Sequence, residues 1–181
     1  YDGFDIDRSW IQNLNSIYST KENFCFFYAN IFHSYYNKSG EHKPENYQFE
    51  ITDTQYDVIF LNSIFSHMKL NIIENYLRNC KKFLETNGEI YATMYVYDDN
   101  FDASSAIDER FKCIPSDYYG SITFSPNKPE HLLAHPLKEI LQIIDRQDLT
   151  VERYLAGTWY HRMEKMEQHG QDVFILKHKV K

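Results

Sequence analysis

Acidic and amide side chains recur at one kind of place in this chain, just after runs that read as β-strands. The first run, Gly3-Phe4-Asp5-Ile6-Asp7, ends in Asp5 and Asp7, carboxylates that can accept hydrogen bonds from the two hydroxyls of a ribose. The second, residues 24–31 (FCFFYANI), ends in Ala29-Asn30-Ile31, and an amide, donor and acceptor at once, can meet an adenine edge. The third, residues 56–65 (YDVIFLNSIF), brings Asn62, Ser63, Phe65, Ser66 and His67. The fourth, residues 89–96, brings Tyr95, Tyr97 and Asp98. In an open α/β sheet, ligands sit beyond the carboxyl ends of the strands, so the joint placement points to a binding site. Taken singly, each residue has a plainer use. Asp5 and Asp7 can cap the next helix, Asn30 can serve a turn, His67 can lie on the surface, and Trp159 can fill a core.

Other chemistries find less support. There is no G-x-S-x-G nucleophile elbow and no H-E-x-x-H spacing. The three cysteines, Cys25, Cys80 and Cys113, are far apart and fit neither a zinc spacing nor a disulfide framework, which suits a reducing cytoplasm. Asp5-x-Asp7 has the form of a metal-holding acidic pair, as in a nucleotide-sugar glycosyltransferase, but only four residues precede it where a nucleotide-binding half should stand. The net charge of −7 argues against nucleic acid as partner, and no apolar run is long enough to span a membrane. A small molecule is the expected partner, and no metal is expected.

These residues need a scaffold, and the patterns supply one. Trp10, Ile11, Leu14, Ile17 and Tyr18 recur with helical period after the first strand. Residues 34–55 are polar and read as a long loop. The core of the third strand, Val58-Ile59-Phe60-Leu61, is apolar on both faces, as a buried parallel strand requires. A helix is predicted over 71–85 on Ile73, Tyr76, Leu77, Cys80 and Leu84, ended by Asn87-Gly88. Residues 97–130 lack a period. Pro136 opens another helix, carried by Leu137, Ile140, Leu141 and Ile144. Residues 149–156 and 172–180 are the last strands, expected to run antiparallel. The order implies one α/β domain over 1–181 with a mostly parallel sheet. With 181 residues, 15 Tyr and 13 Phe, the chain can bury a sizeable core. Its six glycines are scattered singly, so it has no dinucleotide fingerprint or phosphate loop.

Four stretches together resemble the class I S-adenosylmethionine (SAM)-dependent methyltransferases of the small-molecule type. Residues 1–7 (YDGFDID) resemble the family's second strand with its acidic end, and Ala29-Asn30-Ile31 its adenine-side motif. Residues 56–68 (YDVIFLNSIFSHM), running on through a helix into Phe83-Leu84-Glu85-Thr86-Asn87-Gly88-Glu89, resemble the fourth strand and the turn before the fifth. Trp159, Arg162 and Gln171-Asp172-Val173 resemble the closing strands.

The resemblance implies a Rossmann-like sheet and SAM as cofactor. It implies Asp5 at the ribose, Ile6, Asn30 and Ile31 around the adenine, Asn62 and Phe65 along the cofactor side of the fourth strand, and His67 as substrate-side base. It implies residues 97–130 as the substrate cover. Two departures stand out. Asn30 replaces the usual Asp, so that its carbonyl oxygen is expected to face the adenine amino group. The family's first strand and Gly-rich loop would precede Tyr1, so a longer natural protein is expected, with weak SAM binding by this chain alone; an intact mass of 21.7 kDa for the purified protein would contradict the longer chain. The alternatives are a non-catalytic binding or scaffold subunit and the metal-dependent glycosyltransferase, with a nicotinamide dehydrogenase behind them.

Overall fold

The computed structural model describes residues 1–50, 54–102, 112–113, 120–123, 127–160 and 170–180. The chain divides into two compact units, Tyr1–Tyr47 and Gln48–Lys181.

In the first unit, strand β1 (Asp2–Asp5) pairs in parallel with β2 (Cys25–Tyr28), Asp5 opposite Tyr28. Helix α1 (Arg8–Ile17) connects them. It starts where it does because Asp7 caps it: Oδ1 accepts from the amides of Ser9 at 2.8 Å and Trp10 at 3.2 Å. The Ser9 hydroxyl also donates to Asp7, and this bond above all holds the carboxyl below its usual range. The apolar stripe read from the sequence is only partly used: Ile11 is buried, whereas Trp10 and Ile17 are exposed. β2 is shorter than the run 24–31 suggested. The Asn30 carbonyl turns away to accept the amides of Glu41 and His42, which starts the loop early.

The second unit holds β3 (Tyr56–Leu61), α2 (Leu70–Phe83), β4 (Leu84–Tyr97), β5 (Lys112–Cys113), β6 (Ile122–Thr123), β7 (Leu133–Pro136), α3 (Leu137–Arg146), β8 (Leu149–Leu155) and β9 (Asp172–His178). The sheet order is β5-β6-β7-β4-β9-β8, with β3 also paired to β4. Pairing is parallel for β3–β4 and β4–β7 and antiparallel elsewhere, so this sheet is more mixed than the alternation of elements implied. The expected antiparallel closing pair is present as β8 and β9. Ile90, Ala92, Met94 and Val96 put one face of β4 at the centre of the core, with Phe174 and Leu176 of β9. Ile73, Tyr76, Leu77 and Cys80 of α2 and Ile140, Ile143 and Ile144 of α3 are buried too. Cys80 is fully buried, and desolvation pushes its thiol up to about 12, which makes it an inert core residue.

Three expectations are corrected. The third strand stops at Leu61, and Phe65–His67 form a turn of 3-10 helix instead of continuing it. Nor is β3 covered on both faces: Val58 and Phe60 are 60% and 59% exposed, and Phe60 stacks on Tyr91 across the β3–β4 pair at 4.8 Å. Among the described residues β3 has no strand neighbour other than β4. Asn87-Gly88 is no helix cap. The chain passes from Phe83 straight into β4, and Gly88 lies within that strand. There the register of β3 on β4 jumps, Tyr56 opposing Leu84 and Val58 opposing Glu89. A Cβ on Gly88 would come within 2.8 Å of the Tyr56 carbonyl oxygen, so glycine is what lets the two backbones close. Strand β7, four residues ending in proline, went unread because its length and composition match a loop.

Gly88→Ala is expected to destabilise the chain by about 1–3 kcal/mol, the usual cost of forcing atoms into a filled space. Gly170→Ala, with nothing within 4 Å of its added carbon, serves as the neutral control. Urea unfolding midpoints check both.

Candidate functional site

Asp5 and Asp7 have different work. Asp7 is committed to the α1 cap. Asp5, at the end of β1, accepts the Asp7 amide on Oδ1 at 2.8 Å, and its Oδ2 has no hydrogen-bond partner among the described residues. The described residues contain no group of three or more His, Cys, Asp or Glu suited to a metal. Ile6 is half-buried, and Ile31 is buried. Asn30 lies past the end of β2, and its Oδ1 accepts the Tyr28 hydroxyl at 3.1 Å. Arg8 sits over the Tyr28 ring, 4.3 Å from its centre. Asn37 in turn donates to the Tyr28 hydroxyl at 3.1 Å and to the Ile31 carbonyl at 2.9 Å.

In the second unit, the carboxyl end of β3 turns at Ser63, which has φ of 59°, a left-handed conformation costly for a residue with a Cβ. The neighbours hold it there. Its amide donates to Thr93 Oγ1 at 2.7 Å, its hydroxyl to Gln171 Oε1 at 3.2 Å, and its carbonyl accepts the Ser66 hydroxyl at 2.7 Å. The Thr93 hydroxyl donates to Asn62 Oδ1 at 3.3 Å, so this network reaches an exposed amide at the strand end. Phe65 is fully buried, so its ring supports the turn from beneath. His67 closes the 3-10 turn with Nδ1 3.4 Å from the Glu130 carbonyl oxygen.

Beyond β4, Tyr95, Tyr97 and Phe101 pack on a buried cluster of Ile122, Ala134, Trp159 and Tyr160. Trp159 meets Tyr95 edge-on at 5.6 Å and Tyr160 at 4.7 Å. Asp98 accepts the Asn100 amide at 2.9 Å in a local turn, and the Tyr97 hydroxyl donates to the Gly120 carbonyl. Trp159 is fixed by Asp172, a fully buried carboxylate. Oδ2 of Asp172 accepts from Trp159 Nε1 and the Val96 amide, and Oδ1 from the Tyr154 hydroxyl and the Gly157 amide, each at 2.9 Å. Gly157 is required for that approach, since an added Cβ would lie 2.5 Å from the Gln171 carbonyl carbon. Arg162 and much of 97–130 lie outside the described residues.

Tyr28, Asn37, Thr93 and the hydrogen-bonding roles of Gln171 and Asp172 escaped the sequence reading. Thr93 and Asp172 left a trace, as lone polar residues in or opening strands of otherwise apolar character. Tyr28 and Asn37 left none.

Near the 3-10 turn, His135 of β7 is fully buried with Nδ1 2.8 Å from the Ser121 hydroxyl oxygen. Its Nε2 has no hydrogen-bond partner among the described residues. Burial pushes the imidazole down to about 4, with only the backbone of Phe65 and Met68 pulling the other way.

No family model matches the chain. Solved structures do. It is similar to the CcbJ methyltransferase from Streptomyces caelestis, with a TM-score of 0.61 at 10% identity over 99% of this chain and 74% of that one. It is similar to the O-methyltransferase of a trans-AT PKS multienzyme from Brevibacillus brevis, solved with S-adenosyl-L-homocysteine, with a TM-score of 0.59 at 13% identity over 98% of this chain and 58% of that one. It is also similar to the PH0226 protein from Pyrococcus horikoshii OT3, with a TM-score of 0.59 at 11% identity over 98% and 71%. The fold is that of the class I SAM-dependent methyltransferases. Among the described residues no helix is long and apolar enough to cross a membrane.

The buried His135 gives a signed pH dependence. Between the free imidazole value of 6.5 and about 4, the unfolded chain binds a proton that the folded chain refuses. Its contribution to stability is therefore complete above pH 6.5 and falls as the pH drops towards 4, by about 3 kcal/mol in all. Urea unfolding at pH 7 and pH 4.5 is expected to show a larger loss for the parent protein than for His135→Asn.

Proposed function

We propose that this chain transfers the methyl group of SAM to a small-molecule acceptor. The observation that carries the reading is Asp5, at the carboxyl end of β1 in a methyltransferase fold, with one oxygen tied to the Asp7 amide and Oδ2 without a partner among the described residues. A carboxylate held at one oxygen and open at the other suits the paired hydroxyls of a ribose. In this reading Ile6 and Ile31 give the adenine its apolar walls and Asn30 meets its edge. Asn62 and Phe65, at the end of β3, are assigned to the cofactor by the resemblance alone.

SAM brings a methyl group on a positively charged sulfur, already activated for transfer. What remains for the protein is alignment and exclusion of water. His67, at the end of the 3-10 turn that follows β3, is the group suited to take the acceptor's proton when the acceptor carries one. Tyr95, Tyr97 and Phe101, partly buried against the cluster around Trp159, offer an apolar wall to the acceptor. The net charge of −7 argues against a nucleic-acid acceptor. A cytoplasmic setting fits cysteines without disulfide spacing.

A second reading, a non-catalytic SAM-binding subunit, is favoured by Asn30 standing where the family has Asp. Transfer of labelled methyl from SAM to an acceptor, measured beside binding, separates the two.

In the full-length protein, Asp5→Ala is expected to weaken SAM binding by about 2 kcal/mol, roughly thirtyfold, for the loss of two hydrogen bonds to a carboxylate. Calorimetric titration checks this, and unchanged affinity removes Asp5 from the site.

A further inference from the structure

We infer that the buried Ser121–His135 pair fastens the 3-10 turn Phe65–His67 to β7 and releases it when the imidazole takes up a proton. The inference goes beyond the proposed function and involves no ligand.

The pair is a product of strand register. β6 runs antiparallel to β7 with Ile122 opposite Ala134, which puts Ser121, the residue before β6, beside His135. The Ser121 hydroxyl oxygen lies 2.8 Å from Nδ1, and both residues are buried. β7 also packs on the 3-10 turn. There the backbone of Phe65 and Met68 favours the protonated ring, which its carbonyl oxygens do and its amides would not. These two residues bracket Ser66 and His67 in the chain. Ser121 occupies Nδ1, so Nε2 is the nitrogen left to face the turn, and it makes no hydrogen bond among the described residues. A hydrogen on Nε2 would meet acceptors, whereas a lone pair there would meet other lone pairs. The surroundings thus assign the Nε2–H tautomer, with Nδ1 accepting the Ser121 hydroxyl.

A second proton has no place in this arrangement. On Nδ1 it would turn the hydroxyl from donor to acceptor and leave the hydroxyl hydrogen to find a new partner in the interior. The elements packed on β7 do not supply a counter-charge. β6 has no ionisable side chain. β4 brings Tyr95 and Tyr97, and Asp172 accepts the amide of Val96, the residue opposite His135. α3 brings Lys138 and Glu139 in its first turn, and the 3-10 turn brings His67. What acts on the His135 charge is burial first and the Phe65 and Met68 backbone second; none of these side chains is among the causes. His67 has Nδ1 3.4 Å from the Glu130 carbonyl, a contact that its own protonation would strengthen. Glu130 in turn pairs with Lys69 at 3.4 Å. His135 is therefore the group in this set whose protonation undoes the packing. Lifting a three-residue turn to let water reach the ring costs less than opening the sheet. Because the turn carries His67, its release also takes that ring away from the Glu130 carbonyl.

Amide exchange followed by NMR on the whole chain tests this. The His67 and Met68 amides donate to the Ile64 and Phe65 carbonyls at 3.1 and 3.3 Å. Corrected for intrinsic rates, their protection is expected to fall roughly twentyfold between pH 7 and pH 5, the change in opening for a ring that titrates near 6.5 when wet and near 4 when buried. The Ala92 and Met94 amides in the middle of β4 are expected to remain at least tenfold better protected at pH 5. Imidazole nitrogen shifts at pH 7 are expected to place the His135 proton on Nε2, and His135→Asn is expected to remove the pH dependence at the turn. Turn amides equally protected at both pH values, or as well protected as those of β4 at pH 5, overturn the inference, as does a proton on Nδ1. The same pH dependence in folded His135→Asn overturns it too, and if that variant does not fold the three measurements on the parent decide. No SAM is present, so failure here leaves the methyl-transfer reading standing, and failure of that reading shows separately as absence of SAM binding.

Discussion

The second unit is organised around a charge in the wrong place for water. Asp172 is fully buried, and its two oxygens accept hydrogen bonds from Val96, Tyr154, Gly157 and Trp159, each at 2.9 Å. A buried carboxylate is costly unless its lone pairs are met, and here neutral donors from several parts of the unit meet them. The Val96 amide comes from β4, the Tyr154 hydroxyl from β8, and the Gly157 amide and Trp159 indole from the chain that follows β8. Asp172 itself opens β9. One side chain thus fixes the start of the last strand, the exit of the one before it, and the position of the indole in the aromatic cluster beyond β4. Removing any one donor would leave the others holding a less satisfied charge, so the set stands or falls together.

The same region sets the geometry at the end of β3. Gln171, the residue before Asp172, accepts the Ser63 hydroxyl, and Thr93 takes the Ser63 amide. The left-handed turn at Ser63 persists because every polar group of that residue is engaged. In the proposed reading, methyl transfer from an activated donor asks for position more than for acid or base strength, and a left-handed turn held by buried groups meets that need. Buried His135 and Ser121 add rigidity close to the 3-10 turn that carries His67.

Much of this could be read from residues in order. The capped first helix, the buried stripe of α2, the antiparallel closing pair and the strand-end placement of Asp5, Asn30 and Asn62 all follow from local pattern, because periodicity and caps are local properties. The losses are equally physical. Gly88 looked like a helix cap because Asn-Gly favours that role. Its actual role depends on the Tyr56 carbonyl, far away in sequence, and on a register jump no pattern encodes. β7 was missed because four residues ending in proline carry no period. β3 reads as buried on both faces because Val58 and Phe60 are apolar, yet both are exposed. The hydrogen bonds through the Tyr28 and Thr93 hydroxyls were invisible because both look like ordinary strand residues.

The central claim is that the strand-end residues of this methyltransferase fold bind SAM. Hydrogen–deuterium exchange of the chain with and without saturating S-adenosylhomocysteine tests it most directly. The account predicts slower exchange at residues 5–7, 30–31 and 62–67 on adding the ligand, with the outer faces of α2 and α3 unchanged. Identical exchange at all three strand ends, with and without ligand, would contradict it.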